Sequence, residues 1–241
     1  MPSSRAKEYL SANLRVDILV EMQLLLLTFS TGAQDVIAFP DFHCFASNQT
    51  GNSVVLAIGA AGLGSSQFSL ANVGISLGTF LAGATLTGQL GNNIGPRRRD
   101  WLLLNHLMQT LLVFAAAIAQ GIGHGAGTGS SAMGSIALLA FSSGAQVASM
   151  RPMRIPEITT AMATAAWVDF VIDPKLFGPD NHSRDRRALF LVTLIVGSFV
   201  GAFMYKGVGS SNTLIFSAAG KLLVTVSFMF NREEKNQMTE G

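Results

Sequence analysis

The strongest constraint on this chain is where its charges are missing. No Lys, Arg, Asp or Glu occurs between Asp41 and Arg97, none from Trp101 through Met150, and none from Ala188 through Tyr205. Charged residues make up 12% of the sequence, against roughly 25% in a typical soluble domain. A water-soluble protein would have to expose parts of these uncharged, apolar stretches, and such a surface aggregates. A bilayer removes that difficulty, so the chain reads as an all-α, polytopic membrane protein. A β-barrel would need segments of about ten residues with strict alternation, whereas apolar runs such as Leu102–Ile118 show none. Charges continue through Glu21, and the apolar stretch after it reads as a first span rather than the core of a cleavable signal.

A crossing helix needs roughly 17 to 25 residues. Six segments meet or approach that length: Met22–Phe42, Phe68–Leu90, Trp101–Ile122, Met133–Met150, Ala188–Tyr205 and Thr213–Phe230. Two further apolar pieces, Ser53–Leu63 and Ile158–Ile172, are too short and read as re-entrant helices. The positive-inside rule tests this division. With both short helices re-entrant, Arg5, Lys7 and Arg15, the Arg97–Arg99 run, Arg151 and Arg154, Lys175, Arg184, Arg186 and Arg187, and the tail Arg232 and Lys235 share one side. The uncharged linkers Ser65–Gln67, Gly123–Ser131 and Gly209–Asn212 share the other. The expected organisation is a cytoplasmic segment 1–19, one transmembrane domain 20–230 and a cytoplasmic tail 231–241. On that topology Asn181, in an Asn-His-Ser sequon, faces the cytoplasm and carries no glycan.

The hexapeptide FSTGAQ at Phe29–Gln34 returns as FSSGAQ at Phe141–Gln146. In a six-span arrangement the two copies enter the membrane in opposite senses, which predicts an inverted internal repeat with halves near 20–122 and 133–230. Gly74/Gly78 and Gly197/Gly201 are small-xxx-small pairs, and Gly78-Thr-Phe pairs with Gly197-Ser-Phe in this alignment. Gly32 and Gly144, one in each copy, are expected to have structural roles.

The candidate chemistry lies beside the motif. Asp35 follows the first copy deep in an apolar span, where a carboxyl costs about 2.5–3.5 kcal/mol on insertion scales and faces a cavity or a partner. It reads equally as a proton, cation or solute site and as a carboxylate capping a broken helix; Val147 stands at the equivalent place. Asn48, Gln49, Thr50 and Asn52 flank Gly51 ahead of the first short helix, whose N-terminal N–H groups could face a solute. Thr159, Thr160, Thr164 and Asp169 lie on or beside the second short helix and form the opposite lip by symmetry. Lys221, inside the last span, is expected to pair with a carboxylate such as Asp35. Gln34 and Gln146 suit interhelical hydrogen bonds. Arg184–Arg187 could meet lipid headgroups, with an orientation signal as the plainer reading. The four histidines show no metal spacing, and neither a phosphate loop nor a nucleophile motif occurs. No cofactor or metal is therefore expected, and the small net charge of +2 carries no message about nucleic acid.

FSTGAQDVIAF followed by NQTGN resembles the YoaK-like membrane family, catalogued as a domain of unknown function, and most of all its fungal-type branch. GAQVA, IPEITTAMATAAWVD, DNHSRDRRALF and GSFVGAF carry the resemblance through the second half. Relatives often have Asn where this chain has Val147, and a Thr-Gly pair where it has Ala163-Thr164. The resemblance implies a multi-span membrane protein, sometimes labelled a small-molecule transporter.

The expectation is a transporter or facilitator for a small solute, with a site near the midplane between the first span and the two short helices. The alternative is a membrane scaffold that binds protein or lipid partners through its basic loops. With no nucleophile and base paired, an enzyme ranks last.

Overall fold

The computed structural model describes residues 2–63, 68–122 and 129–234. Two expected neutral linkers, 65–67 and most of 123–131, and the tail beyond Glu234 lie outside the described residues. The elements are α1 (Pro2–Ser11), α2 (Ile18–Phe42), α3 (Gln49–Ala60), α4 (Leu70–Ile94), α5 (Arg99–Ile122), α6 (Ser130–Met150), α7 (Thr164–Val171) and α8 (His182–Ser227). Among the described residues only isolated bridges represent β-structure. Helices α2, α4, α5, α6 and α8 are long and apolar enough to cross a membrane.

Helix α8 folds back on itself. Gly209 (φ 83°, ψ 174°) leaves the helical region and breaks it into two legs, 182–208 and 210–227. Glycine reaches this backbone without the Cβ clash any other residue meets. Near the start of the first leg Arg186 pairs with Glu21 of α2, and at the end of the second leg Ser227 accepts from Gln23 Nε2 at 2.7 Å. Tyr205 and Ser210, on either side of the break, both donate to Asp41 at the opposite end of α2. Both ends of α8 therefore lie at one end of α2 and the break lies at the other. Among the described residues, α2, α4, α5, α6 and the two legs of α8 therefore give six long segments from five candidate spanning helices, the number of segments the charge pattern predicts.

The basic residues collect at the end of the bundle where α2 begins. There Leu14 N–H donates to Arg97 O, Arg99 N–H to Ala12 O, and Arg15 N–H to Arg232 O. These bonds draw the N-terminal segment, the α4–α5 loop and the C-terminal tail together. Arg99 is fully buried, stacks over the Tyr9 ring at 3.7 Å, and donates to carbonyls of Tyr9, Phe228 and Asn231. The triple-arginine run, read from sequence as an orientation signal, thus also contains the clamp of this face. Arg98 pairs with Asp100, which holds its guanidinium above the usual range.

In lipid there is no hydrophobic drive between helices, so close backbone approach and polar contacts decide which helices touch. The repeated hexapeptide supplies both. A Cβ on Gly32 would fall 2.6 Å from Leu194 O of α8, and one on Gly197 would strike Phe29 O of α2. In the other pair, a Cβ on Gly144 would strike Phe80 O of α4, and one on Gly83 would strike Phe141 O of α6. Gly201 likewise rides on Ala33 of α2. Two expectations are corrected here. Gly74 and Gly78 have nothing within 4 Å of a built Cβ, and they face outward. Gly83, rather than Gly78, occupies the place on α4 that Gly197 occupies on α8.

The two motif copies also meet each other. Gln34 Nε2 donates to Ser143 Oγ at 3.1 Å, and Gln146 Nε2 donates to Thr31 Oγ1 at 2.9 Å. The sixth position of each copy thus donates to the third position of the other. Such a reciprocal pattern requires α2 and α6 to cross antiparallel.

Candidate midplane site

The loop after α2 turns back into the bundle instead of leaving it. Ser47 donates to Asp35 through both its backbone N–H, at 3.1 Å, and its hydroxyl. Asp35 lies seven residues before the end of α2, about 10 Å inward at 1.5 Å per residue. Non-helical backbone at that depth needs its polar groups satisfied within the protein. Asn52 provides this by pairing with Phe45 as a second backbone would: Phe45 N–H donates to Asn52 Oδ1 at 2.9 Å and Asn52 Nδ2 to Phe45 O at 2.8 Å. Ser76 Oγ adds a bond to Phe45 O, and Asn72 Nδ2 donates to Phe42 O. Asn48 caps α3 by accepting from Gly51 N–H at 3.2 Å. Gly51 has no room for a side chain beside the Phe45 ring, since a Cβ would sit 3.1 Å from it.

Helix α3 therefore starts inside the bundle and runs outward, reaching the first residue of α4, Leu70, at Gly59. Helix α7 starts at the same depth from the other side. It begins at Thr164, beside Leu194 and Ser198 of α8. It ends just before Asp173, whose carboxylate pairs with Arg187 on the basic face at 3.2 Å. The Thr159 hydroxyl shapes the entry to α7 by accepting from Met162 N–H and donating to Met162 O.

Between the two starting points lies a cavity of about 310 Å³. Gly32 and Asp35 of α2 form one wall, and Ser47, Asn48, Gln49 and Thr50 bring the start of α3. Ala161 through Thr164 bring the start of α7, and Leu194 and Ser198 of α8 close the space with Phe45 and Phe80. Each helix start carries partial positive charge and free N–H groups. Against them stand one carboxylate, whose oxygens already hold Ser47, and several neutral hydroxyl and amide groups. This lining can solvate a small polar molecule without a metal: among the described residues no cluster of His, Cys, Asp and Glu could hold one.

A family model described as "Protein of unknown function (DUF1275)" matches residues 23–227. The chain belongs to this family. Neither a curated protein nor a solved structure matches it. The matched region of this DUF1275 protein runs from within α2 to the end of α8 and includes both short helices, so the midplane cavity lies wholly inside it.

Five of the nine residues expected to form the site do line the cavity: Asp35, Asn48, Gln49, Thr50 and Thr164. Asn52 is fully buried and holds the re-entrant loop instead. Thr160 is buried with φ 63° and does not line the cavity. Asp169 lies exposed on α7 and does not line the cavity; five residues beyond Thr164, about 1.4 turns on, it sits farther along the helix and on a different face. Lys221 makes no bond to Asp35. It is buried between α2, α6 and α8 and donates to Gln146 Oε1, the glutamine that holds Thr31. Ser47 and Ser198 line the site although the sequence reading passed them over. Asp41 was missed as well; it is buried and accepts from Tyr205, Ser210 and Gln120 at the α8 break. A charge at the edge of an apolar run looks like the end of a span, which conceals such a role.

Proposed function

We propose that this DUF1275 protein carries a small polar solute across the membrane through the midplane cavity, as a transporter or facilitator. The observation that carries this reading is the meeting of two short helices, entering from opposite faces, at one polar cavity about halfway through the bundle. Helix starts at mid-depth have little structural use, whereas solute sites in membrane carriers are commonly built from them.

We further infer that the halves form an inverted repeat. The reciprocal Gln34–Ser143 and Gln146–Thr31 bonds support this, as does the parallel use of Gly197 on Phe29 and Gly83 on Phe141. The collection of basic residues at one end supports a cytoplasmic location for both termini. Asp35 anchors the α3 entrance to α2, so solute contact there is coupled to the position of the loop.

The test is solute entry into proteoliposomes, read by light scattering over a panel of small neutral, acidic and basic solutes. Entry above that of protein-free vesicles is expected for at least one class, with loss when Ser198→Phe fills the cavity. Asp35→Asn is expected to slow entry as well. No entry for any class, from protein shown to be folded, would favour the scaffold reading.

A further inference from the structure

Six arginines of the basic face are paired with carboxylates, in two groups. Arg97, Arg98 and Arg99 reach Glu234, Asp100 and Glu233, and Arg184, Arg186 and Arg187 reach Asp185, Glu21 and Asp173. The Arg184–Arg187 run, considered from sequence as a headgroup contact, is thus already neutralised. Arg151 and Arg154, like Arg5, Arg15 and Arg232, have no carboxylate within 4 Å among the described residues, but these two share a pocket; Arg151 makes a weak side-chain hydrogen bond to the Met162 sulfur. Glu157, close in sequence, is turned instead to the Ser183 hydroxyl at 2.8 Å.

These two arginines line a small pocket of about 90 Å³ where α6 ends. Its floor is apolar: Val147 and Met150 of α6, with Ile155, Pro156 and Ile158. Arg154 has φ 56°, a left-handed backbone that non-glycine residues rarely adopt. The chain holds the residue in this conformation by an Arg154 N–H bond to Arg151 O at 3.1 Å, which closes the turn and keeps the two arginines on one pocket. The adjacent end of α6 carries partial negative charge, which one arginine can offset. Two full positive charges exceed it.

We propose that this pocket binds the phosphate of an anionic phospholipid from the leaflet on the basic face, with Arg151 and Arg154 on the phosphate and the apolar floor under the glycerol and upper acyl chain. Guanidinium groups suit phosphate because their N–H donors form parallel bonds to its oxygens. The apolar floor distinguishes a lipid from free phosphate, which would gain nothing from it. The same segment runs on through Thr159 to Ala161–Thr164, which line the midplane cavity. A bound lipid would therefore brace the entry to α7.

The experiment is native mass spectrometry of the full chain released from nanodiscs holding phosphatidylglycerol and phosphatidylcholine in equal amounts. Retention of phosphatidylglycerol is expected in the unmodified protein, and the Arg151→Gln/Arg154→Gln double variant should retain about twenty-fivefold less at that site, taking roughly fivefold for each arginine near an anionic lipid surface. An Arg15→Gln/Arg98→Gln variant removes the same charge elsewhere and should retain the lipid. Equal retention by both double variants would overturn the assignment. Inorganic phosphate, added in excess, should not displace the lipid; displacement would mean an oxyanion site without lipid preference, and would also overturn it. Because the readout is lipid retention, it stands apart from whether the protein moves a solute.

Discussion

Replacing Gly144 by alanine should weaken the contact between α4 and α6 more than its single added methyl suggests. The new Cβ would strike the Phe80 carbonyl, and the next neighbours are also backbone, including Ala84 N at 3.1 Å. A side chain could rotate away, but backbone can yield only if the two helices separate. Overpacking of this kind costs roughly 1–3 kcal/mol, which is at least a fivefold change in the folded-to-unfolded ratio. Gly78→Ala on the same α4 helix is the control. There the methyl meets nothing within 4 Å, and stability should stay the same or rise slightly. Unfolding in mixed micelles with increasing dodecyl sulfate would measure both, read by the fluorescence of Trp101, which is buried where α5 begins. The double variant Gly83→Ala/Gly144→Ala should lose less than the sum of its parts, because both methyls widen the same crossing. Equal losses for Gly78→Ala and Gly144→Ala would refute the assignment of the α4 interface.

Two other outcomes can be checked. Double-mutant cycles on Gln34 with Ser143 and on Gln146 with Thr31 should each give a coupling of about 0.6 kcal/mol, the usual size of an interhelical hydrogen bond in a membrane. Acidification should release Asp173, whose carboxyl is held below the usual range, first by the Lys175 N–H and then by Asn181 and Arg187. A depressed folded value means the stabilisation is present above the unfolded value near 3.9 and is lost as pH falls through the folded one. Thermal unfolding between pH 5 and 2 should thus fall less for Asp173→Asn than for the unmodified protein.

Much of this fold is written in where charges are allowed. The six long segments, the shared basic face and the two short helices all follow from placing apolar lengths and arginines, because water and lipid treat charge so differently. Which helices touch was far less legible. A methyl facing lipid and a methyl facing another helix have nearly the same environment, so Gly78 and Gly83 are indistinguishable by composition even though only Gly83 is covered. Site residues followed the same division. Asn48, Gln49 and Thr50 were legible because a polar run at mid-depth needs a reason. Asn52 belongs to the same run, but its reason is to satisfy Phe45, which only the path of the loop reveals. Ser198 looks like any helix serine that bonds back to its own backbone, as it does to Leu194 O.

The exchange of partners between the halves bears on how the protein is made. Helix α2 packs on the first leg of α8, and α6 packs on α4, so the first helix to enter the membrane waits for nearly the last. Until residues near Gly197 emerge, the bare face of Gly32 has no native cover, although Asp35 already has Ser47 and Gln34 gains Ser143 with α6. A chain truncated after α6 would therefore keep the α4–α6 contact but leave the α2 face at Gly32 uncovered.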